Sequence, residues 1–403
     1  MSEAAPTAAS LSNADVRTPR WVHNLACAAT VIGFAVICFG GHTKSLDAGN
    51  SVPDWPTSWG SPAKEYVYGG FAAFFILGIS WATLRKAFLA YLALLVGVSM
   101  VGLYLYFGPE LNASQGWWEF ETVRTEHTHR LLAGLVSLTT MVLFGTLLVH
   151  EKRAWVRRLG LFAVIGVLGQ AVLGGLTVKF YTPPLVSALH GTFAQFVFSM
   201  FCSIAVVTGP RWFENAAPVV GSDDGRRLRK QTLWLFGAFI LQVSLGAALR
   251  HSNYNFESGK GASVFWWHFG AHMAGLLFLL HCMAKVAINV IRNHSDDPRL
   301  TQPLGAMSIF VVFQISLGVA AFIFRLLVSS DVSEAERPWA KAILSTAHVA
   351  FATLTLSAVV MLAWRAIQRS APQTSALPQP APAPTVAPAS NSAPGALPEG
   401  AAT

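Results

Sequence analysis

The sequence predicts an all-α integral membrane protein with two duplicated four-helix transmembrane bundles and an extra helical hairpin, about ten transmembrane helices in total. Three observations predict this fold. Of the 403 residues, 53% are hydrophobic and only 12% are charged, whereas a soluble globular chain carries about 25% charged residues. Ten apolar runs approach the roughly 20 residues that a spanning helix needs. Histidines also recur at matching places in two halves of the chain.

The apolar runs define the expected helices and domains. They lie at residues 22–41, 67–84, 87–107, 128–149, 159–180, 186–208, 232–250, 263–286, 305–327 and 342–364. From them we expect an N-terminal bundle at 21–208, which includes an inserted hairpin at about 67–107, and a C-terminal bundle at 231–366. A basic cytoplasmic linker at 209–230 joins the two bundles. A polar segment at 1–20 precedes them, and a disordered Ala/Pro-rich tail at 371–403 follows them.

The basic residues predict the topology. Most of the 28 Lys and Arg residues fall in alternate loops, so both termini of this multi-pass protein are expected on the cytoplasmic side of the inner (cytoplasmic) membrane. The net charge of +8 is therefore interpreted as a topology signal and not as a nucleic-acid-binding surface. The four cysteines lie inside apolar runs without CxxC spacing, which favours neither a disulfide framework nor a cysteine metal site.

Two pairs of histidines repeat along the chain. His190 in Ser-Ala-Leu-His-Gly-Thr-Phe-Ala matches His348 in Ser-Thr-Ala-His-Val-Ala-Phe-Ala at an offset of 158 residues (348 − 190). Upstream of each lies a second histidine, His129 in Glu-His-Thr-His-Arg-Leu-Leu-Ala-Gly and His272 in Ala-His-Met-Ala-Gly, at an offset of 143 (272 − 129). The repeat predicts a duplicated helical bundle.

A Gln-x-x-x-Gly motif lies between the members of each histidine pair. It runs from Gln170 to Gly174 in the first half and from Gln314 to Gly318 in the second, at an offset of 144 (314 − 170). Three matches in the same order, at similar offsets, favour duplication over coincidence.

Paired histidines inside a membrane favour heme. Ionisable groups within spans are costly and usually functional, and two imidazoles on facing helices can ligate a heme iron from above and below. The predicted topology places all four histidines in the outward half of their helices, within roughly 15 Å of the outer surface at 1.5 Å per residue. Two bis-histidine hemes are therefore expected, with His129, His190, His272 and His348 as the iron ligands.

Glu126 distinguishes the two halves. It precedes His129 by three positions, so both side chains share a helical face, and a carboxyl group there can exchange protons. The second half has no equivalent carboxylate and carries His268 one turn before His272. His268 is thus an alternative ligand, although the repeat offsets favour His272.

Three basic residues on the outer side could bind heme propionates. They are Arg130, Lys44 and Arg250. Arginine pairs with carboxylates through two hydrogen bonds, although simple snorkelling to the interface explains such residues as well.

The chain resembles the heme A synthase family over most of its length. The resemblance rests on Gly40-Gly-His-Thr-Lys-Ser-Leu-Asp-Ala-Gly-Asn-Ser-Val-Pro-Asp-Trp-Pro, on Glu126-His-Thr-His-Arg-Leu-Leu-Ala-Gly, on Leu173-Gly-Gly-Leu-Thr-Val and on Leu189-His190. It implies conversion of heme O to heme A, by oxidation of a ring methyl to a formyl group, for cytochrome c oxidase biogenesis. It also implies a heme O synthase and oxidase assembly factors as partners, with an unknown electron acceptor.

The resemblance assigns roles to the repeated residues. It implies that His129 and His190 hold the substrate heme, that Glu126 is catalytic, and that His272 and His348 hold a heme b that relays electrons. A non-enzymatic diheme b-type electron carrier is the alternative, and it leaves Glu126 without a purpose. A transporter built from repeats is disfavoured because the polar residues cluster at one face instead of at the midplane.

Three features depart from the family pattern. The family core has eight spans, so the hairpin at about 67–107 is an addition. The outer-loop cysteine pair of some members is absent, and His272 is followed by Met273 where the family usually has Arg. The last departure keeps His268 in consideration as the heme b ligand.

Overall fold

The computed structural model describes residues 17–52, 55, 121–214, 222–252, 261–331 and 338–370. In this part of the chain the regular structure is entirely helical. The helices are α1 (Arg20–Ser45), α2 (Glu121–His150), α3 (Ala154–Lys179), α4 (Pro184–Thr208), α5 (Pro210–Phe213), α6 (Ser222–Arg250), α7 (Ala262–Asn293), α8 (Pro298–Asp331) and α9 (Pro338–Ser370). All except the short α5 are long and apolar enough to cross a membrane. The predicted all-α, multi-pass membrane protein is therefore confirmed.

Eight spanning helices are described, whereas about ten were predicted. The two additional runs form the predicted hairpin at about 67–107, which lies outside the described residues, as do 1–16 and the predicted tail at 371–403. Part of the predicted linker at 209–230 is helical, because α6 already begins at Ser222. Asp223 and Asp224 occupy the first turn of α6, where negative charge is favoured by the helix dipole.

The spanning helices form two sets of four with equivalent contacts. In the first half α1 packs against α2 and α4, and α3 packs against α4; in the second half α6 packs against α7 and α9, and α8 against α9. Between the halves α1 contacts α9, α6 contacts α4, and α4 contacts α9. This reciprocal pattern is that of two units related by an approximate two-fold axis.

Contacts at both ends show that equivalent helices run in the same direction. Near the C-termini of α1 and α6, Arg250 donates a hydrogen bond to the backbone carbonyl of Gly41 (2.7 Å). At the opposite end, Gln368 near the C-terminus of α9 donates to the carbonyl of Trp212, just beyond α4 (2.6 Å). The halves are therefore parallel repeats, and their axis lies along the helices, across the membrane.

Apolar packing fuses the two halves. The buried core of the second half includes Ile37 of α1 and Phe198 and Cys202 of α4. At the end of the bundle that holds Lys152, Arg153 and Arg157, called here the basic end, Trp364 of α9 stacks on Trp155 of α3, with ring centroids 5.4 Å apart. Because these contacts cross between the halves, the two sets of helices form one continuous core.

Candidate functional site

Each of the four repeated histidines rests against a glycine of a neighbouring helix. The contacts join His129 to Gly40, His190 to Gly174, His272 to Gly246 and His348 to Gly318. A Cβ atom added at Gly40, Gly246 or Gly318 would lie only 2.8 to 2.9 Å from the imidazole carbon Cε1, and one at Gly174 would lie 3.4 Å from it. The glycines therefore make room for the rings.

The glycine at position 318 also leaves a backbone carbonyl one turn earlier accessible to His348. His348 donates from Nδ1 to the carbonyl of Gln314 (2.7 Å), four residues before Gly318. A side chain on residue 318 would project back over that carbonyl, since helix Cβ atoms point toward the N-terminus. Heme-ligating histidines usually donate their second ring nitrogen in this way. The bond leaves Nε2 of His348 available to a metal.

The rings of His129 and His272 face a different group one turn before their glycines. The ring of His129 faces the backbone carbonyl of Val36, four residues before Gly40, although its Nδ1 makes no hydrogen bond of ordinary geometry. The side-chain amide of Gln242 lies 3.2 Å from Nδ1 of His272. For His129, His272 and His348, the glycine and the residue one turn before it thus form a repeated imidazole seat. The ring of His190 rests on Gly174, and Gln170 donates to the His190 backbone carbonyl (3.1 Å).

The histidines are brought together in the predicted pairs. His190 lies within electrostatic range of His129, and His272 within range of His348. Among the described residues, no group of three or more His, Cys, Asp or Glu side chains converges as it would for a bare metal ion. Paired imidazoles with glycine-lined seats fit the two axial positions of a heme instead.

Glu126 lies in a polar clamp one turn before His129. The carboxylate is only 3% exposed. It accepts a hydrogen bond from the Val52 backbone N–H (2.8 Å) and pairs with the Arg130 guanidinium (2.6 Å). Arg130 also donates to the Val52 carbonyl (2.7 Å). The clamp thereby fixes the loop after α1 beside the first histidine pair.

A second contact holds this loop against α3. The indole of Trp55 lies so close to Gly175 that a Cβ atom there would meet the ring at 2.7 Å. Gly175 adjoins Gly174, the seat of His190. Val52 contacts α2 and Trp55 contacts α3, so the loop bridges the helices that carry His129 and Gly174.

The second half has an aromatic cluster where the first has the clamp. An offset of 143 places Phe269 at the position of Glu126 and Met273 at that of Arg130. Phe269 stacks on Phe322 with ring centroids 4.7 Å apart, and Trp266 packs edge-on against Phe269. In this part of the described structure the two histidine pairs thus differ sharply in polarity.

His268, the alternative ligand, differs from His272 in its contacts. Its Nδ1 lies 2.8 Å from the carbonyl of Val264 on its own helix. His272 instead rests on Gly246 and lies near His348. Only His272 therefore has both the glycine seat and the partner that characterise the other three histidines.

The other predicted propionate contacts have protein partners. Arg250 donates to the Ser45 hydroxyl (2.6 Å) as well as to the Gly41 carbonyl, which ties α6 of the second half to α1 of the first. Lys44 pairs with Asp47 at the surface (2.8 Å).

Comparison with known proteins agrees with this geometry. Residues 110–258, which include Glu126, both histidines of the first pair and Arg250, match the family described as cytochrome oxidase assembly protein. The chain is also 24% identical over 384 residues to the heme A synthase of Chelativorans sp. (strain BNC1), covering 85% of this chain and 94% of that protein. Both comparisons therefore relate the chain to proteins of cytochrome oxidase assembly and heme A synthesis. No solved structure matches the chain significantly.

The name of that relative concerns heme, the group that the paired histidines of this chain predict. The family match begins before Glu126 and ends after the seventh predicted span, so it covers the whole first histidine pair. The relative's alignment extends over both halves. The assignment of individual ligands rests on the contacts described above.

One glycine that contacts a histidine, Gly246, belongs to a motif that is visible in the sequence. Gln242 and Gly246 form a third Gln-x-x-x-Gly motif, 72 residues after Gln170 and 72 before Gln314. That equal spacing would have identified Gly246 as the seat of His272. The residue four positions before Gly40 is Val36 instead of glutamine. The contact of Gly40 with His129 could therefore be recognised only from the structure.

Proposed function

We propose that this protein is a heme A synthase that oxidises a ring methyl of heme O to the formyl group of heme A. The supporting observation is the polar clamp of Glu126, Arg130 and Val52 beside His129 and His190. Phe269 stands at the equivalent place in the other half. A diheme electron carrier leaves a buried carboxylate beside only one histidine pair without a purpose.

His129 and His190 are the proposed axial ligands of the substrate heme. Each ring rests against a glycine of a neighbouring helix, and the two histidines interact electrostatically. With water supplying the oxygen, conversion of a methyl to a formyl group releases four electrons, which pass to an electron acceptor outside the chain, and four protons. Glu126 is the proposed proton acceptor, because a carboxylate can take up such protons. Arg130 and the Val52 amide hold that carboxylate in place.

His272 and His348 are the proposed ligands of a heme b. Bound there, heme b supplies one-electron redox chemistry. The aromatic cluster around Phe269 provides an apolar setting without an ionisable carboxylate, which suits a group that carries electrons without exchanging protons. The His348–Gln314 hydrogen bond fixes the orientation of one of these rings.

Heme analysis of the purified protein tests the enzymatic role. The protein is produced in a host that makes heme O, and its hemes are extracted and separated by chromatography. The wild type should contain heme B, heme O and heme A. Glu126→Gln should retain heme O and lose heme A. Glu121→Gln, the same change at an exposed position on the same helix, should behave as wild type.

Other results would redirect the proposal. Heme B alone in wild type and variant would indicate a diheme electron carrier. For the second pair, His272→Ala should abolish one low-spin heme signal, whereas His268→Ala should leave it unchanged. The reverse result would assign the heme b to His268.

A further inference from the structure

A basic groove lies between α6 and α7, at the end of the bundle opposite the clamp. It has a volume of about 470 Å³, and its walls carry Arg227 of α6 and Lys285 and Arg292 of α7. None of these three cations forms an ion pair or hydrogen bond with any residue that the structure describes. Three unneutralised cations around one groove create a site for an anion.

Amide side chains form the floor of the groove. Asn293 donates to Asn289 (2.7 Å), and Asn289 donates to Gln231 (2.7 Å). Within the described part of the chain, no residue accepts a hydrogen bond from the Nε2 group of Gln231. That group is thus a neutral donor, which complements the cations in binding phosphate oxygens.

The depth of the groove favours a lipid over a soluble anion. Lys285 lies eight residues before Asn293, the last residue of α7, which is about 12 Å along the helix at 1.5 Å per residue. Lys285 therefore starts within the apolar part of the span, and its chain reaches toward the headgroups. Ile288, on the same wall, is 51% exposed. The groove therefore joins an anion site to an apolar surface.

The first half provides an internal comparison. The offset of 143 between His129 and His272 places Val142 and Val149 at the positions of Lys285 and Arg292. The offset of 206 between Gly40 and Gly246 places Trp21 at the position of Arg227. Trp21 packs edge-on against His150, with ring centroids 5.0 Å apart. Since the equivalent location is apolar and aromatic, the three cations are a property of the second half alone and not of every loop at the basic end.

We propose that this groove binds the phosphate group of an anionic phospholipid from the leaflet at the basic end, with the acyl chains lying along Ile288. Basic pockets between transmembrane helices at the cytoplasmic side bind such headgroups. Arg227 and Arg292 contact the phosphate from two helices, and Lys285 contacts it from the membrane side. The proposal does not depend on the proposed enzymatic function.

Native mass spectrometry of the full-length protein tests the proposal. Purified protein is exchanged into micelles containing phosphatidylglycerol or phosphatidylcholine, and the retained lipids are counted. Each interfacial cation contributes about fivefold to the binding of an anionic lipid. The double variant Arg227→Gln/Arg292→Gln should therefore bind phosphatidylglycerol roughly twenty-five-fold more weakly, with little change for phosphatidylcholine.

The matched control is Arg229→Gln/Lys230→Gln. It removes the same charge from exposed positions of α6 that do not line the groove, so it should retain the lipid. Equal loss from both double variants would overturn the proposal in favour of diffuse attraction. Arg227→Lys, which keeps the charge, should retain binding and shows that the site tolerates substitution.

A separate arm distinguishes a soluble phosphate from a lipid. Inorganic phosphate is added to delipidated protein, and thermal unfolding is followed. We expect no stabilisation by millimolar phosphate, whereas phosphatidylglycerol raises the unfolding temperature of the wild type only. Stabilisation by inorganic phosphate that phosphatidylglycerol does not displace would overturn the lipid assignment.

Discussion

Gln195 of α4 donates a hydrogen bond to Thr353 of α9, with Nε2 and Oγ1 2.9 Å apart. Both residues are buried, and the 158 residues between them are the same offset that separates His190 from His348. Equivalent residues of the two halves therefore contact each other, as residues next to a two-fold axis do. The bond lies five residues beyond each histidine, on the helices that carry them.

A double-mutant cycle on this pair tests the interface between the halves. Gln195→Met and Thr353→Val should each destabilise the protein. Their coupling should be about 0.5–1 kcal/mol, in the range of interhelical hydrogen bonds in membranes. Unfolding in detergent measures it. Thr146→Val is the control, because Thr146 bonds only to its own helix; zero coupling between Gln195 and Thr353 would contradict the described bond.

Substitution of Gly318 tests the imidazole seat. Gly318→Ala introduces a methyl group 2.8 Å from Cε1 of His348, so the ring must move and lose its hydrogen bond to Gln314. We expect loss or a shift of one low-spin heme signal in the optical and electron paramagnetic resonance spectra.

Gly305 provides the control on the same helix. A Cβ atom there meets nothing within 4 Å, and alanine raises helix stability by up to about 1 kcal/mol. Gly305→Ala should therefore keep the wild-type spectrum. An unchanged spectrum in Gly318→Ala would show that the glycine is not needed for ring placement.

Neutralising Arg130 tests the clamp. Arg130→Gln leaves the buried Glu126 carboxylate without its cation, and breaking a buried pair costs about 3–5 kcal/mol. A lower unfolding temperature is expected. Glu126→Gln/Arg130→Gln should be more stable than Arg130→Gln alone, because no charge is then left buried.

The exposed pair of Lys44 and Asp47 serves as the comparison. Surface ion pairs contribute about 0–1 kcal/mol, so Lys44→Gln should change the unfolding temperature little. If Arg130→Gln were equally mild, the clamp would contribute little to the fold.

Acid should weaken the basic end of the bundle through Glu151. Burial raises the pKa of this carboxyl, but hydrogen bonds from Arg153 and Thr18 outweigh burial and hold the pKa below its ordinary value of 4.5. Because the folded-state pKa is depressed, the stabilisation is complete above about pH 4.5 and is lost as the pH falls toward and through the folded-state pKa.

Unfolding measured from pH 7 to pH 3 checks this expectation. Glu151→Gln should reduce stability at neutral pH and flatten the pH dependence at the acid end. Asp223→Asn is a suitable control, since Asp223 is an exposed carboxylate in the first turn of α6. A pH profile that Glu151→Gln leaves unchanged would assign the acid sensitivity to other carboxylates.

The sequence predicted the histidine pairs because its repeats preserve both chemistry and spacing. The helices also followed from composition, since a membrane requires long apolar segments whose backbone bonds are satisfied internally. The partners of Glu126 did not follow. Val52 acts through its backbone, so its side chain gives no indication of that role, and the loop geometry that brings it to Glu126 is set by tertiary contacts.

The start of α6 also illustrates a limit of pattern reading. The polar stretch before the apolar run was interpreted as linker, but helical bonding extends into it from Ser222. Likewise Gly40 lacks the Gln-x-x-x-Gly pattern, and only the position of His129 reveals why a side chain is excluded there.

The contact between Gln195 and Thr353 shows that equivalent positions of the two halves can carry different residues. In a symmetric homodimer, a residue next to the two-fold axis meets a copy of itself, so glutamine would face glutamine and threonine would face threonine. Within a single chain the two positions are encoded separately, and a donor can face a different acceptor. The same independence allows glutamate in one half and phenylalanine in the other, so fusion of the two halves into one polypeptide frees each site to change without changing its counterpart.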